Sequence, residues 1–167
     1  LSENLLKWGH PNVVVTNNRS DDFTPLKSMF DIVLADVPCS GEGMFRKDEV
    51  AIQEWSPNNV EICWQRQREI ISNIWPTLKP GGLMIYSTCT YNTKENEENV
   101  RWISQEFGGE TLAVTLNPDW NITPGFDESL QSYRFMPHKT KGEGFFVAVI
   151  RKPGQSESYC STASTKQ

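Results

Sequence analysis

The chain has 167 residues, 37% of them hydrophobic, which is long enough for one globular domain with a substantial core and too short to require two. Its formal net charge of -5 has the wrong sign for a protein that holds nucleic acid by overall charge, so such a partner must meet a local basic patch. No apolar run reaches the roughly eighteen residues of a membrane span, and no secretory leader opens the sequence. We expect a soluble, cytoplasmic protein.

The first elements predicted along the chain are a helix and two strands. The opening LSENLLKWG resembles the second half of an amphipathic helix, and its first residue is Leu1, so we expect a piece of a longer protein. Residues 12–16 and 30–35 are short, β-branched apolar runs without alternation. That pattern is typical of strands buried on both faces of a parallel sheet.

A long helix follows the second strand. Ser56 is a good N-cap and Pro57 suits the first helical position, while Pro76 should end or kink the helix. Residues 79–82, KPGG, predict a turn into a third strand at 83–87.

Asn92 or Thr93 is predicted to cap the next helix, whose early glutamates at 95, 97 and 98 suit the helix dipole. Residues 111–114 and 144–150 are strand-like and predict an antiparallel sheet edge. From 153 to 167 the chain is polar without apolar periodicity, which predicts a linker or disordered tail. The alternation over residues 1–152 indicates one α/β domain with a parallel sheet.

Chemistry is concentrated at two predicted strand ends. Asp36, Cys39 and Cys89 all follow apolar strands, where ligands bind in open α/β sheets. Pro38 stiffens the loop that carries Cys39. Each cysteine could instead be a small buried hydrophobe, the interpretation we keep for Cys63 on the long helix. Cys160 lies in the predicted tail, and no CxxC pair or histidine spacing indicates a metal site.

A thiol beside a carboxyl group suits two kinds of reaction. One is addition to an electron-poor ring carbon, and the other is acyl transfer, which needs a histidine base. Only His10 and His138 are present, and neither lies in a motif, so ring addition is favoured.

Three blocks of sequence then resemble a known family. They are DVPCSGEGMFRK at 36–47, LKPGGLMIYSTCTYNTKENEENV at 78–100 and RFMPHKTKGEGFFVAVIRK at 134–152. Together they are similar to the Sun-type RNA 5-methylcytosine methyltransferases, in particular the bacterial ribosomal-RNA members. The resemblance implies a Rossmann-like class I fold, S-adenosylmethionine as cofactor, and methylation of carbon 5 of cytosine in RNA.

The resemblance also implies roles for individual residues. Cys89 is implied to be the nucleophile on carbon 6 of cytosine, and Cys39 to assist product release. Asp36 is implied to bind the cytosine edge and, with Pro38, to lie beside the methyl donor. DNA cytosine methyltransferases use a Pro-Cys thiol for attack, and here the Ser-Thr-Cys-Thr block is what indicates Cys89 instead. Basic residues of the first block are implied to contact RNA or the site entrance: Arg46 and Lys47.

The chain departs from the family pattern at its start. The glycine-rich cofactor loop, the acidic residue after the second strand and the first two strands of the sheet have no counterpart, so we expect weak cofactor binding by residues 1–152 alone. Asn18 stands where the family commonly has an Asp, and it is kept as a cofactor contact. Residues 12–16 are expected to lack strand neighbours and to pack abnormally, unless the missing part is present elsewhere in the molecule. A non-catalytic RNA-binding or scaffold fragment and a thiol hydrolase remain the alternatives.

Overall fold

A computed structural model describes residues 2–155 and shows a mixed sheet with helices against it. Over these residues the helices are α1 (Ser2–Trp8), α2 (Glu49–Glu54), α3 (Pro57–Ile74) and α4 (Glu97–Phe107). The strands are β1 (Phe30–Asp36), β2 (Leu78–Thr88), β3 (Glu110–Thr111), β4 (Thr123–Pro124), β5 (Tyr133–Phe135) and β6 (Phe145–Arg151). Their order is β1-β2-β6-β5-β4, with β3 paired to β6.

The parallel pair β1 and β2 fixes where the chemistry lies. Asp36, the last residue of β1, is in register with Ser87, one residue before the end of β2. Both strands therefore release their following loops at the same edge of the sheet. The other strand pairs in the described chain are antiparallel, so the parallel sheet with a predicted antiparallel edge is a mixed sheet in which most pairs are antiparallel.

The long helix forms as its sequence predicts. The Ser56 hydroxyl accepts a hydrogen bond from the Asn59 amide at 3.0 Å, and Pro57 occupies the first turn. The helix ends at Ile74, and Trp75 to Thr77, around Pro76, form a 3-10 turn. Cys63 is buried on its inner face, as expected for a structural cysteine.

The sheet has one covered face and one open face in the described part of the chain. Side chains that alternate along β1, β2 and β6 pack against Ile71 of α3 and against Val100 and Ile103 of α4: Ala35, Met84, Tyr86, Phe146, Ala148 and Ile150. On the opposite face of β1, Ile32 is 59% exposed and Leu34 is 68% exposed. The prediction that this strand is buried on both faces is therefore wrong for the described residues.

The predicted strand at residues 12–16 is also wrong. These residues have no strand pairing, and Val14 is 85% exposed. A strand needs a neighbour to satisfy its backbone groups, and among residues 2–155 the outer edge of β1 has no partner either. The apolar composition of the segment is thus insufficient to form a strand by itself. The expectation that the segment lacks neighbours agrees with this arrangement.

Three boundaries differ from prediction. Residues 79–82 belong to β2, where they form a bulge opposite the start of β1, because Phe30 pairs with Leu78 and Ile32 with Leu83. Helix α4 begins at Glu97 after the N-cap Asn96, since residues 93–96 form turns first. The strand predicted at 111–114 is reduced to β3.

The position of β6, the last strand, also differs from prediction. β6 lies inside the sheet between β2 and β5, so it is not an edge strand. The start of the predicted tail, at 153–155, is irregular, and the rest, with Cys160, lies outside the described residues. Within residues 2–155, none of the helices combines the length and apolarity needed to cross a bilayer.

Candidate active site

Two loops meet at the edge where β1 and β2 end. The first, residues 37–43, carries Cys39, and the second, residues 89–96, begins with Cys89. The Gly43 amide donates a hydrogen bond to the Cys89 carbonyl at 2.8 Å, and the Val37 amide donates to the Ser87 carbonyl at 3.1 Å. Backbone hydrogen bonds thus hold the first loop at both ends, to β2 at Val37 and to the second loop at Gly43.

The two thiols are in direct contact. The Sγ atoms of Cys39 and Cys89 are 3.1 Å apart, a distance at which one thiol can hydrogen-bond the other. The Cys89 backbone amide also donates to Cys39 Sγ at 3.3 Å. Both cysteines are half-buried, so the pair lies at the surface of the edge and remains accessible.

This contact separates the acidities of the two thiols. A hydrogen bond from the Cys39 thiol stabilises the thiolate of its neighbour and lowers the pKa of Cys89 to about 7. The same hydrogen bond, together with burial, raises the pKa of Cys39. Cys89 is therefore the thiol that ionises first, while Cys39 keeps its proton at neutral pH.

Asp36 and Pro38 flank the thiols on the first loop. The Ser87 hydroxyl donates a hydrogen bond to Asp36 Oδ1 at 2.9 Å, which holds a carboxylate that is otherwise exposed. The Pro38 carbonyl accepts a hydrogen bond from Gln67 Nε2 at 2.9 Å, so α3 fixes this loop from below. Asp36 and Pro38 are both exposed.

The remaining residues predicted from the sequence lie further out. Arg46 and Lys47 are exposed, and the Arg46 guanidinium donates to the Gly142 carbonyl at 3.1 Å. Asn18 donates to Asp22 Oδ2 at 3.1 Å within its own loop. In the part of the chain that the structure describes, no hydrogen bond joins Asn18 to either cysteine loop.

The sequence alone missed a buried carboxylate behind the thiols. Glu95 is fully buried, and it accepts hydrogen bonds from the Ser40 amide at 3.0 Å, Gln67 Nε2 at 2.6 Å and Asn92 Nδ2 at 2.7 Å. Its own amide donates to Asn92 Oδ1 at 2.9 Å. The early glutamates were predicted to interact with the helix dipole, but Glu95 instead connects the two cysteine loops and α3.

A buried ion pair supports the second loop. Arg134 of β5 and Glu97 of α4 are 1% and 2% exposed, and Arg134 Nε donates to Glu97 Oε1 at 2.7 Å. Arg134 Nη1 also donates to the Tyr91 carbonyl at 2.7 Å. The third sequence block, which contains Arg134, thus holds the segment that follows Cys89. The only sequence signal for the burial of Glu97 was its i, i+3 spacing from the core residue Val100.

The histidines do not complete a hydrolase site. Among residues 2–155 neither forms a hydrogen bond with a thiol, since His10 Nδ1 accepts from the Asn12 amide at 3.3 Å and His138 lines a separate cleft. The geometry therefore gives no support to an acyl-transfer mechanism. Within the same range, no cluster of three or more His, Cys, Asp or Glu side chains is suited to hold a metal ion.

Comparison with known proteins identifies the family of this chain. Residues 1–151 match the family described as 16S rRNA methyltransferase RsmB/F. The chain belongs to the RsmB/F family. A curated relative, ribosomal RNA small subunit methyltransferase F of Serratia proteamaculans, is 39% identical over 156 residues, which cover 91% of this chain and 32% of the relative. The corresponding protein of Shewanella amazonensis is 36% identical, with coverage of 91% and 33%.

Solved structures agree with this family. NSun6 from Pyrococcus horikoshii, solved with SFG, an analogue of S-adenosylmethionine, has a TM-score of 0.73 at 27% identity, covering 92% of this chain and 38% of that one. A methyltransferase homologue from the same organism also has a TM-score of 0.73, at 28% identity, with coverage of 90% and 48%. The predicted Rossmann-like methyltransferase fold and the Sun-type resemblance are confirmed. The chain spans about a third of the length of its curated RsmB/F relatives.

RsmB/F methyltransferases use S-adenosylmethionine, and the residues present fit one flank of that molecule. The Asp36 carboxylate is exposed and keeps hydrogen-bonding capacity beyond its bond to Ser87, as needed to accept from an amino or hydroxyl group. Pro38 offers an exposed apolar ring next to it.

Proposed function

We propose that this chain carries the thiol machinery of an RNA cytosine-5 methyltransferase that acts on ribosomal RNA in the cytoplasm with S-adenosylmethionine as methyl donor. The observation that carries the proposal is the 3.1 Å contact between Cys39 and Cys89, with Asp36 on the same edge. Because the curated relatives are about three times longer, the activity is proposed for the complete protein that contains this chain.

Cys89 is proposed as the nucleophile. Carbon 5 of cytosine is a poor nucleophile until a thiolate adds at the neighbouring carbon 6. The Cys89 Sγ–C6 bond forms, the electrons of the C5–C6 double bond shift, and carbon 5 becomes enamine-like and reactive. S-adenosylmethionine, when bound, supplies an electrophilic methyl group. A pKa of about 7 keeps about half of Cys89 ionised at neutral pH, ready for attack.

Cys39 is proposed to assist release. The carbon 5 proton passes to solvent water, its bonding electrons restore the C5–C6 double bond, and the Cys89 Sγ–C6 bond breaks with its electron pair returning to sulfur. A thiol at hydrogen-bonding distance stabilises that departing thiolate, as it stabilises the attacking one. The raised pKa of Cys39 keeps its proton available for this hydrogen bond.

Asp36 and the basic pair are proposed to hold the RNA. The Asp36 carboxylate accepts a hydrogen bond from the amino edge of cytosine, in the orientation that Ser87 fixes. Arg46 and Lys47 are exposed beside the first loop and suit contacts with phosphate oxygens. Asp36 with Pro38, and Asn18 from its separate loop, are proposed as the cofactor contacts that this chain supplies.

The test uses the complete protein, S-adenosylmethionine and small-subunit ribosomal RNA. We expect Cys39→Ala to accumulate a protein–RNA adduct that resists denaturation, because attack proceeds while release is impaired. The adduct should disappear in the Cys39→Ala/Cys89→Ala double variant. Cys63→Ala, which removes a buried thiol of α3, is the matched control and should accumulate none. Absence of an adduct in every variant would favour a non-catalytic RNA-binding or scaffold role.

A further inference from the structure

A cleft of about 760 Å³ opens beside the thiol edge, and of its lining only Arg46 has a role in the mechanism above. Its walls are largely aromatic: Phe45, Trp55, Tyr91, Phe126, Met136 and His138. Cys89 is close to it, because Gly43 in its lining donates to the Cys89 carbonyl at 2.8 Å and Tyr91 follows Cys89 by two residues. A group bound there would lie next to whatever Cys89 attacks.

The aromatic rings of the cleft are held in place. Trp55 Nε1 donates a hydrogen bond to Glu42 Oε1 at 3.0 Å, and the Trp55 ring meets Phe45 edge-on with ring centroids 6.5 Å apart. Phe126 stacks over the buried Arg134 guanidinium at 4.0 Å. Phe126 is nevertheless 61% exposed, so its other ring face is open for binding. Fixed, open ring faces are what stacking with a planar ligand requires.

Two glycines pack closely at the cleft: Gly43 lies in its lining, and Gly144 lies behind the Tyr91 ring of that lining. A methyl group at Gly43 would lie 2.6 Å from the Cys89 carbonyl oxygen, and one at Gly144 would lie 2.1 Å from the Tyr91 hydroxyl. A side chain at Gly43 would therefore displace the backbone of the second cysteine loop, and one at Gly144 would displace the Tyr91 ring that lines the cleft. The shape of the cleft thus depends on the absence of side chains at both positions.

The charge around the cleft suits a nucleotide. The Glu42 carboxylate is satisfied by N–H donors, since it accepts from the Tyr91 amide at 2.9 Å, the Asn92 amide at 2.8 Å and Trp55 Nε1. Arg46 lines the same cleft with 62% of its side chain exposed, and its contact with Glu143 is long, at 3.7 Å. One Arg46 N–H group donates to the Gly142 carbonyl at 3.1 Å, and the other N–H groups of the exposed guanidinium can pair with a phosphate.

From these contacts we infer that the cleft binds an unpaired nucleobase that directly flanks the target cytosine, stacked on Phe126 and Trp55, with its phosphate at Arg46. Single-stranded RNA is recognised mainly by unstacked bases lying on aromatic side chains. The inference rests on the proposed function, because it assigns the cleft to the same RNA strand. It explains how an acidic protein recognises RNA locally, by stacking plus one cation.

The test compares intact and abasic RNA. With the Cys39→Ala protein, the modified cytosine is mapped, and a short oligoribonucleotide around it is made with an abasic nucleotide on its 5′ or 3′ side. One of the two replacements should slow adduct formation about 10- to 100-fold, the usual worth of one stacked base. The same replacement should change the rate less than about twofold when Phe126→Ala is added, since the stacking partner is already lost.

Controls separate this inference from the proposed function. Trp120→Ala removes an exposed tryptophan that does not line the cleft, and it should keep the full abasic effect. Trp55→Phe should keep most of the abasic effect, and Trp55→Ala should lose the effect. If adducts form but neither abasic position matters, or if the effect persists in both alanine variants, the cleft does not bind a flanking base. If no RNA gives an adduct at all, the proposed function and this inference both fail.

Discussion

The loops after β1 and β2 differ sharply from residues 9–19, although both are irregular segments of similar polarity. In the loops, Ser40, Glu95 and Asn96 are buried and hydrogen-bonded. Every residue from 9 to 19 is exposed. The difference shows that packing against the parallel strands, α3, α4 and β5 fixes the thiol site, whereas the earlier segment finds no packing partner among the described residues.

The largest effect should come from the buried ion pair that supports the second loop. Glu97→Ala leaves the Arg134 guanidinium buried without its counter-ion, which should lower the free energy of unfolding by about 3–5 kcal/mol. Urea unfolding followed by tryptophan fluorescence measures the change. A loss of this size would mean that the second cysteine loop, without its buried ion pair, is as poorly packed as residues 9–19.

An exposed pair provides the matched control for that measurement. Arg101 contacts Asp127, and its side chain is 45% exposed, so Arg101→Ala should lower the free energy of unfolding by no more than about 1 kcal/mol. Equal losses in the two variants would mean that burial of the Glu97–Arg134 pair does not matter to stability.

The next effect is on the acidity of Cys89. Removing the Cys39 donor in Cys39→Ala should raise the pKa of Cys89 from about 7 toward the ordinary thiol value of about 8.5. Because the thiolate fraction rises with pH, native Cys89 should react with iodoacetamide at half its maximal rate near pH 7. The variant should need higher pH and react about tenfold more slowly at pH 7.

Mass spectrometry of the alkylated peptides identifies which thiol reacts. Cys39→Ser, which keeps a hydroxyl donor, should lie between the native protein and the alanine variant. Cys63 is an internal reference, because burial raises its pKa and should keep it slow throughout. Preferential alkylation of Cys39 at neutral pH would reverse the proposed assignment of nucleophile and assisting thiol.

The smallest effect should be found in residues 9–19. Val14 is 85% exposed, so Val14→Ser should change the free energy of unfolding by less than about 0.5 kcal/mol. Ile103→Val, at a fully buried position, should lower it by about 0.5–1.5 kcal/mol. A larger loss at Val14 than at Ile103 in chemical unfolding would show that the N-terminal segment packs against something in solution.

Much of the thiol site was predictable from the sequence because its residues follow strands that form locally. The apolar run before Asp36 and the Ser56–Pro57 start of α3 are encoded by adjacent residues, and the structure has β1 and α3 where predicted. The two Sγ atoms meet because parallel neighbouring strands end together. Family resemblance, confirmed by the comparisons, supplied the reaction class, while the residue roles remain proposals.

The rest depended on partners distant in sequence. The sequence predicted only that Glu97 interacts with the dipole at a helix N-terminus. Its buried partner Arg134 lies 37 residues later in the chain. Residues 12–16 have a strand composition without a strand neighbour, so composition alone gave the wrong answer there. The aromatic cleft combines Trp55, Tyr91 and Phe126 from three separate segments, and no local pattern indicates that they meet.

The close packing of Gly43 and Gly144 has a consequence for redesigning RNA preference. The first side-chain atom at position 43 would meet the Cys89 carbonyl oxygen, and one at position 144 would meet the Tyr91 ring. A mutant library aimed at new target sequences should therefore leave these positions fixed. Diversity belongs at the outer wall, at Trp55 and Phe126, where a change in ring size can alter the neighbouring base without retuning the sulfur chemistry.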